Sequence, residues 1–178
     1  EAEIEQLIDS DMLEKLSKGR DIGRAHRDEA AQTRYIEFAK GSFPRGMTLE
    51  GLRIVVDCAH GAAYKATPCV LRELGAEVIV VGDTPNGKNI NKDCGSMHPQ
   101  HLCQLVREFR ADVGIAHDGD ADRVILCDEH GALIDGDDIM AIAALEMLAQ
   151  GTLAEQTLVA TVMSNAGLDA ALQAAGGK

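Results

Sequence analysis

A seven-residue acidic loop, His117 to Arg123, lies between two apolar runs and constrains the fold more than any other segment. The runs 113–116 and 124–127 are short and contain several β-branched residues, which is typical of buried strands. A connection this short cannot form the crossover that two parallel strands require. We therefore expect an antiparallel pair of strands with the acidic loop at its tip.

The rest of the chain alternates apolar strand patterns with helical patterns. This alternation predicts an α/β fold with a mainly parallel sheet flanked by helices, and the antiparallel pair makes the sheet mixed. The strand after the loop is expected to pair also with Leu133-Ile134. The predicted strands are 52–57, 77–82, 112–116, 123–127 and 157–162, and the predicted helices are 1–16 (interrupted near 9–11), 28–40, 68–74 with Thr67 as its cap, 99–110, 137–150 and one that starts at 165.

The loop carries three carboxylates at alternate positions, Asp118, Asp120 and Asp122. Closely spaced carboxylates repel one another unless a cation neutralises them, and hard oxygen ligands favour Mg²⁺ or Ca²⁺. Gly119 is small enough for the loop to wrap around an ion. Arg123 adds a permanently charged, planar group that suits phosphate. A divalent cation beside an arginine indicates phosphoryl transfer.

The loop has two alternative interpretations. A solvated acidic surface loop is common, but here apolar runs enclose the loop on both sides. A calcium-binding EF-hand fits if Asp118 is position one, because Glu129 is then position twelve. Position six must be glycine in that motif, whereas this chain has Arg123 there. His117 could act as a base or a ligand, although a lone histidine at a strand end is more often packed.

Composition limits the classes of partner. The net charge of −12 disfavours nucleic acid, and no apolar stretch approaches the ~18 residues that a membrane span requires. The first residues are acidic, which is unlike a secretory signal. The five cysteines include no C-x-x-C pair, so neither a disulfide framework nor a structural zinc site is expected. Free thiols fit a cytoplasmic location.

Four segments together resemble the α-D-phosphohexomutase superfamily: residues 54–65, 71–79, 85–99 and 111–124. The D-G-D-x-D-R loop at 118–123 marks the superfamily. The stretch N-I-N-x-x-C-G-S-x-H-P at 89–99 is similar to the bacterial phosphoglucosamine mutase branch.

The resemblance implies a mechanism. Such enzymes arrange four domains around a cleft, and a phosphoserine in the first domain donates its phosphate to the sugar phosphate. Mg²⁺ joins the phosphoserine to the aspartate loop, which makes Asp118, Asp120 and Asp122 the expected metal ligands. Arg123 is expected to contact the phosphoserine or the substrate phosphate. The net reaction would convert glucosamine 6-phosphate to glucosamine 1-phosphate for cell-wall amino sugars.

The resemblance also implies the organisation of the chain. Residues 1–47 would be the end of the first domain with a connecting helix, 48–151 the second domain and 152–178 the start of the third. The nucleophile motif T-A-S-H-N-P does not occur in the sequence, so we expect an internal piece of a longer enzyme that is inactive alone. Its expected partners are a phosphosugar, the other domains and a second copy of the full enzyme. A phosphomannomutase or phosphoglucomutase, or a non-catalytic metal- or phosphosugar-binding module, stays open.

Overall fold

A computed structural model describes residues 1–10, 16–17, 19–28 and 30–178, so part of the first predicted helix, around Asp11, lies outside the described residues. The chain forms two compact units, Glu1–Ala31 and Gln32–Lys178. The first contains helix α1 (Ala2–Ile8) and a short 3₁₀ turn, Gly19–Asp21. The second contains the sheet and almost all other helices.

The strands are β1 (Arg53–Asp57), β2 (Glu77–Val81), β3 (Val113–His117), β4 (Val124–Asp128) and β5 (Leu133–Ile134). The helices are α2 (Ala31–Gly41), α3 (Ala66–Glu73), α4 (Gln100–Phe109), α5 (Gly136–Ala149) and α6 (Ala166–Ala174). These bounds lie within a few residues of the predicted ones, except that the N-cap position of α3 is Lys65, whose side chain makes no capping hydrogen bond, rather than Thr67. The reason is that the 3₁₀ turn Ala62–Tyr64 leads directly into α3.

The five strands form one mixed sheet in the order β2-β1-β3-β4-β5. Strand β1 lies parallel to both β2 and β3, while β3–β4 and β4–β5 are antiparallel. The prediction of a mixed sheet flanked by helices is therefore confirmed. The acidic loop lies at the tip of the β3–β4 pair, where His117 is opposite Val124.

Alternate residues of β1 lie in the hydrophobic cores on opposite faces of the sheet. Val55 packs with Leu102 and Val106 of α4. Ile54 and Val56 belong to the other core, which lies on the side of α3. Burial on both faces explains why the strand reads as a continuous apolar run rather than as an alternating one.

A third core cluster joins α5 to α6 through Ala144, Leu168 and Leu172. The predicted strand 157–162, which lies between these two helices, was wrong. Val159 is 88% exposed, and the structure assigns no strand to the segment. A strand needs a neighbour for its backbone hydrogen bonds. Among the described residues, the only backbone hydrogen bond from this segment to a distant part of the chain runs from Leu158 N to Lys178 O at 2.8 Å. Gln156, just before the segment, accepts a bond from Lys178 N at 2.7 Å.

Candidate metal centre

The acidic loop folds back on itself between β3 and β4. Asp118 accepts two hydrogen bonds from Arg123, one from its backbone N–H at 3.0 Å and one from Nη2 at 3.1 Å. The N–H of Ala121 donates to the carbonyl oxygen of Asp118 at 3.1 Å. Ala121 has a φ of 63°, in the left-handed region. The loop is thus a tight turn with Asp118 buried at its base, 2% exposed.

The three aspartates converge. Asp118, Asp120 and Asp122 each offer one carboxylate oxygen, and these oxygens lie within 4.8 Å of one another. Asp118 is buried, whereas Asp120 and Asp122 are exposed. Oxygens on opposite sides of Mg²⁺ are about 4.2 Å apart, and those around Ca²⁺ about 4.6–5.2 Å apart. The donor set and its spacing therefore fit a hard divalent cation.

The charges of these carboxylates are strongly interdependent. Burial of Asp118 opposes its ionisation, but the backbone N–H of Arg123, a hydrogen bond with Asp120 and the guanidinium outweigh burial and lower its pKa to about 2. The pKa of Asp120 is raised by the hydrogen bond with Asp118 and by the charges of Asp122 and Asp118. Full ionisation is therefore costly without a cation, and a divalent ion would relieve the repulsion.

Arg123 is engaged with the cluster itself. Besides its bonds to Asp118, its Nε lies 3.4 Å from Oδ1 of Asp122. The side chain remains 64% exposed, and a guanidinium carries five N–H donors. Arg123 can therefore neutralise the aspartates and still donate to a phosphoryl group above the loop.

The segment after β1 braces the acidic loop from the side. The N–H of Ala62 donates to the carbonyl oxygen of Gly119 at 2.8 Å. A Cβ at Gly61 would lie 2.6 Å from Cα of Gly119, so only glycine allows this approach. The contact joins the ends of two parallel neighbouring strands, where ligands collect in α/β sheets.

Asp57 organises the same edge of the sheet. It is fully buried, and it accepts hydrogen bonds from the N–H groups of Ala59 at 2.9 Å and Gly95 at 2.7 Å. The N–H of Ser96 in turn donates to the carbonyl oxygen of His117 at 2.8 Å. Asp57 ends the predicted strand 52–57, so the sequence predicts its position at this edge of the sheet but not its hydrogen-bond partners. The available signal was a carboxylate that ends an otherwise apolar strand.

A cavity of about 520 Å³ opens beside the loop. His117 and Asp120 line one part of it, and residues 62–67 line another. Both ring nitrogens of His117 are inaccessible to solvent and have no hydrogen-bond partner among the residues that the structure describes. Burial lowers the pKa of His117, although the charges of Asp118 and Asp57 partly oppose that shift. The imidazole is therefore packed rather than poised as a base.

Known proteins match almost the whole chain. The family description "Phosphoglucomutase/phosphomannomutase, alpha/beta/alpha domain II" matches residues 33–131, and that for domain III matches residues 135–178. The second match begins ahead of α5, whereas the sequence placed the boundary at 151–152; that boundary stays a prediction. Among the described residues, no helix has the length and apolar character to cross a membrane.

Individual relatives agree with this match. The chain is 57% identical to a phosphoglucosamine mutase of Magnetococcus marinus and 56% identical to one of Geobacter sp. strain M21. These alignments cover 99% and 98% of the chain but only 36% and 39% of the relatives. A solved phosphoglucomutase/phosphomannomutase family protein of Burkholderia thailandensis superposes with a TM-score of 0.68 at 22% identity, over 100% of this chain and 38% of that one. The chain belongs to the phosphoglucomutase/phosphomannomutase family.

Proposed function

We propose that the chain is the metal-binding part of a phosphohexomutase that interconverts glucosamine 6-phosphate and glucosamine 1-phosphate. The observation that carries this proposal is the convergence of Asp118, Asp120 and Asp122 within 4.8 Å at the tip of the β3–β4 pair. The glucosamine preference is supported by relatives named phosphoglucosamine mutase at 54–57% identity. Because the chain spans 36–40% of the length of these relatives, the remaining domains would supply the phosphoserine and the sugar site.

Each loop residue has a distinct role in this proposal. The three aspartates would hold Mg²⁺, and the ion would supply positive charge that neutralises the transferring phosphoryl group. Arg123 keeps Asp118 ionised and donates its free N–H groups to the phosphoryl oxygens. Gly61 and Ala62 hold the loop in place through Gly119. The full enzyme would act in the cytoplasm, with a phosphosugar as its substrate and a second copy as its partner.

The test uses the full-length protein that contains this chain. Turnover of glucosamine 6-phosphate is measured with Mg²⁺, with mannose 6-phosphate and glucose 6-phosphate compared in parallel. Asp120→Asn should lower turnover by about 10²-fold or more, because a neutral amide cannot replace a charged ligand of the ion. Asp169→Asn, on the surface of α6, is the matched control and should behave as wild type.

The outcome separates the candidate activities. If mannose 6-phosphate or glucose 6-phosphate is converted faster than glucosamine 6-phosphate, the proposed substrate is wrong. If Asp120→Asn were as active as wild type, the aspartate loop would not be the metal site. Calorimetry with Mg²⁺ on the same two variants checks that the loss of turnover follows the loss of the ion.

A further inference from the structure

The cavity beside the aspartate loop is lined by a lysine side chain to which the proposed function gives no role. Lys65 lines that cavity together with His117 and Asp120. Its ammonium lies 5.3 Å from the centroid of the Tyr64 ring, and the side chain is exposed. Within the part of the chain that the structure describes, Lys65 forms no ion pair with a carboxylate. A cation held over an aromatic ring beside an acidic loop is thus available to an anion from outside.

The position of Lys65 relative to the loop is set by the backbone. The segment that leads to Lys65 is attached to Gly119 through the Ala62 N–H bond and the close approach of Gly61. The 3₁₀ turn Ala62–Tyr64 then continues without a break into α3. The backbone that carries Lys65 is therefore attached to the acidic loop, whereas the backbone of a free loop would not be.

Charge balance indicates what the cavity would accept. The three aspartates, one divalent cation and Arg123 sum to about zero net charge. A phosphate monoester brings about −1.5 to −2 at neutral pH, so a further positive group is needed where its outer oxygens lie. Lys65, which lines the same cavity as Asp120, supplies that charge. The hydroxyl of Thr67, which also lines the cavity and makes no side-chain hydrogen bond in the described structure, can donate to the same oxygens.

We propose that Lys65 binds the phosphoryl group beside the aspartate loop, with Thr67 as a second donor, so that the group is held between the metal ligands and the start of α3. This inference rests on the proposed function, because it assigns the phosphate of that reaction to a particular cavity. Lys65 is then a binding residue for phosphate and not a ligand of the metal.

The test measures binding of inorganic phosphate to the full-length protein by calorimetry in the presence of Mg²⁺. Lys65→Met should raise the dissociation constant of phosphate about 10–100-fold, the range for losing one charge-assisted hydrogen bond. Lys65→Arg, which keeps the charge, should stay much closer to wild type. Lys88→Met is the matched control, since Lys88 is exposed in another loop and lines none of the cavities described, and it should bind phosphate as wild type does.

The controls separate this inference from the proposed function. Mg²⁺ binding measured without phosphate should not weaken in Lys65→Met. The substitution removes a positive charge near the site and so reduces the repulsion of the ion. Phosphate binding that is the same in wild type and Lys65→Met, or absent from both, would overturn the assignment of Lys65, even if the protein converts glucosamine 6-phosphate. If the protein has no mutase activity but binds phosphate in a way that depends on Lys65, the assignment of Lys65 is supported and the proposed reaction is contradicted.

Discussion

Two roles are proposed for Arg123, and their geometric demands differ. Its guanidinium contacts Asp118 and Asp122 of the loop, yet most of the side chain is exposed above them. A structural ion pair needs only a positive charge at this place. Recognition of a phosphoryl group benefits from the planar arrangement of donors, which lysine lacks.

Arg123→Lys distinguishes these roles in the full-length protein. We expect Mg²⁺ affinity to stay nearly unchanged and turnover to fall about 10–100-fold, the scale of losing one or two hydrogen bonds to developing charge. Calorimetry and a steady-state assay measure the two quantities. Wild-type turnover would restrict Arg123 to a structural role, and in that case Arg123→Ala would mainly lower the melting temperature.

Two buried cysteines are expected to react poorly with alkylating reagents. Burial raises the pKa of Cys58 to about 12, and the charges of Asp57 and Asp83 add to the shift. Burial and the neighbouring Cys103 raise the pKa of Cys127 to about 12. Because the thiolate is the reactive form, iodoacetamide at pH 8 should leave both thiols unlabelled in the native protein and label them in urea. Mass spectrometry of the digested protein reads the result, and native labelling of Cys58 would contradict the burial.

The same shift predicts how stability depends on pH. The pKa of Cys58 in the folded protein is above its ordinary value of 9.0. The protonated thiol therefore contributes fully to the free energy of unfolding below about pH 9. This contribution is lost as the pH rises from there towards 12. Thermal unfolding in buffers between pH 8 and 11 should show the decline, and Cys58→Ala should show less of it.

At the scale of elements, the segment after β1 approaches the backbone of the acidic loop so closely that a side chain at Gly61 has no room. Gly61→Ala would place a methyl group against the backbone of Gly119, so we expect a loss of about 1–3 kcal/mol, the usual cost of overpacking. The loop should shift at the same time, and Mg²⁺ affinity should fall. Urea unfolding and calorimetry measure both effects.

Gly41→Ala provides the control for this substitution. A Cβ at Gly41 meets no atom within 4 Å, and its φ is not in the left-handed region, so stability and metal affinity should be nearly unchanged. Equal effects of the two substitutions would mean that backbone freedom, rather than the contact with Gly119, explains the loss at Gly61.

At the scale of the whole molecule, the chain contains the aspartate loop but no T-A-S-H-N-P motif. We therefore expect the 178-residue chain alone to show only background mutase activity in an assay in which the full-length protein is active. Three carboxylates supply about half of the ~6 ligands of Mg²⁺, so the chain alone should bind the ion weakly. Turnover by the chain alone that depends on Asp118 would contradict the assignment of the nucleophile to another domain.

Local patterns were sufficient for much of this protein. The mixed sheet followed from apolar runs, helical periodicity and one connection too short for a crossover. The convergence of the three aspartates followed from their alternate spacing in a short loop. Each of these inferences depends on residues close together in the chain, where the backbone leaves few geometries.

Only the tertiary structure determined which residues surround the loop and whether segment 157–162 forms a strand. The bond from Gly95 to Asp57 joins residues 38 positions apart, and the Gly61–Gly119 contact and the cavity with Lys65 also depend on distant segments meeting. The segment 157–162 has a strand pattern but only Lys178 as a pairing partner among the described residues. Apolar periodicity is a property of one segment, whereas pairing and close approach are properties of two, and only the folded chain brings the second segment into place.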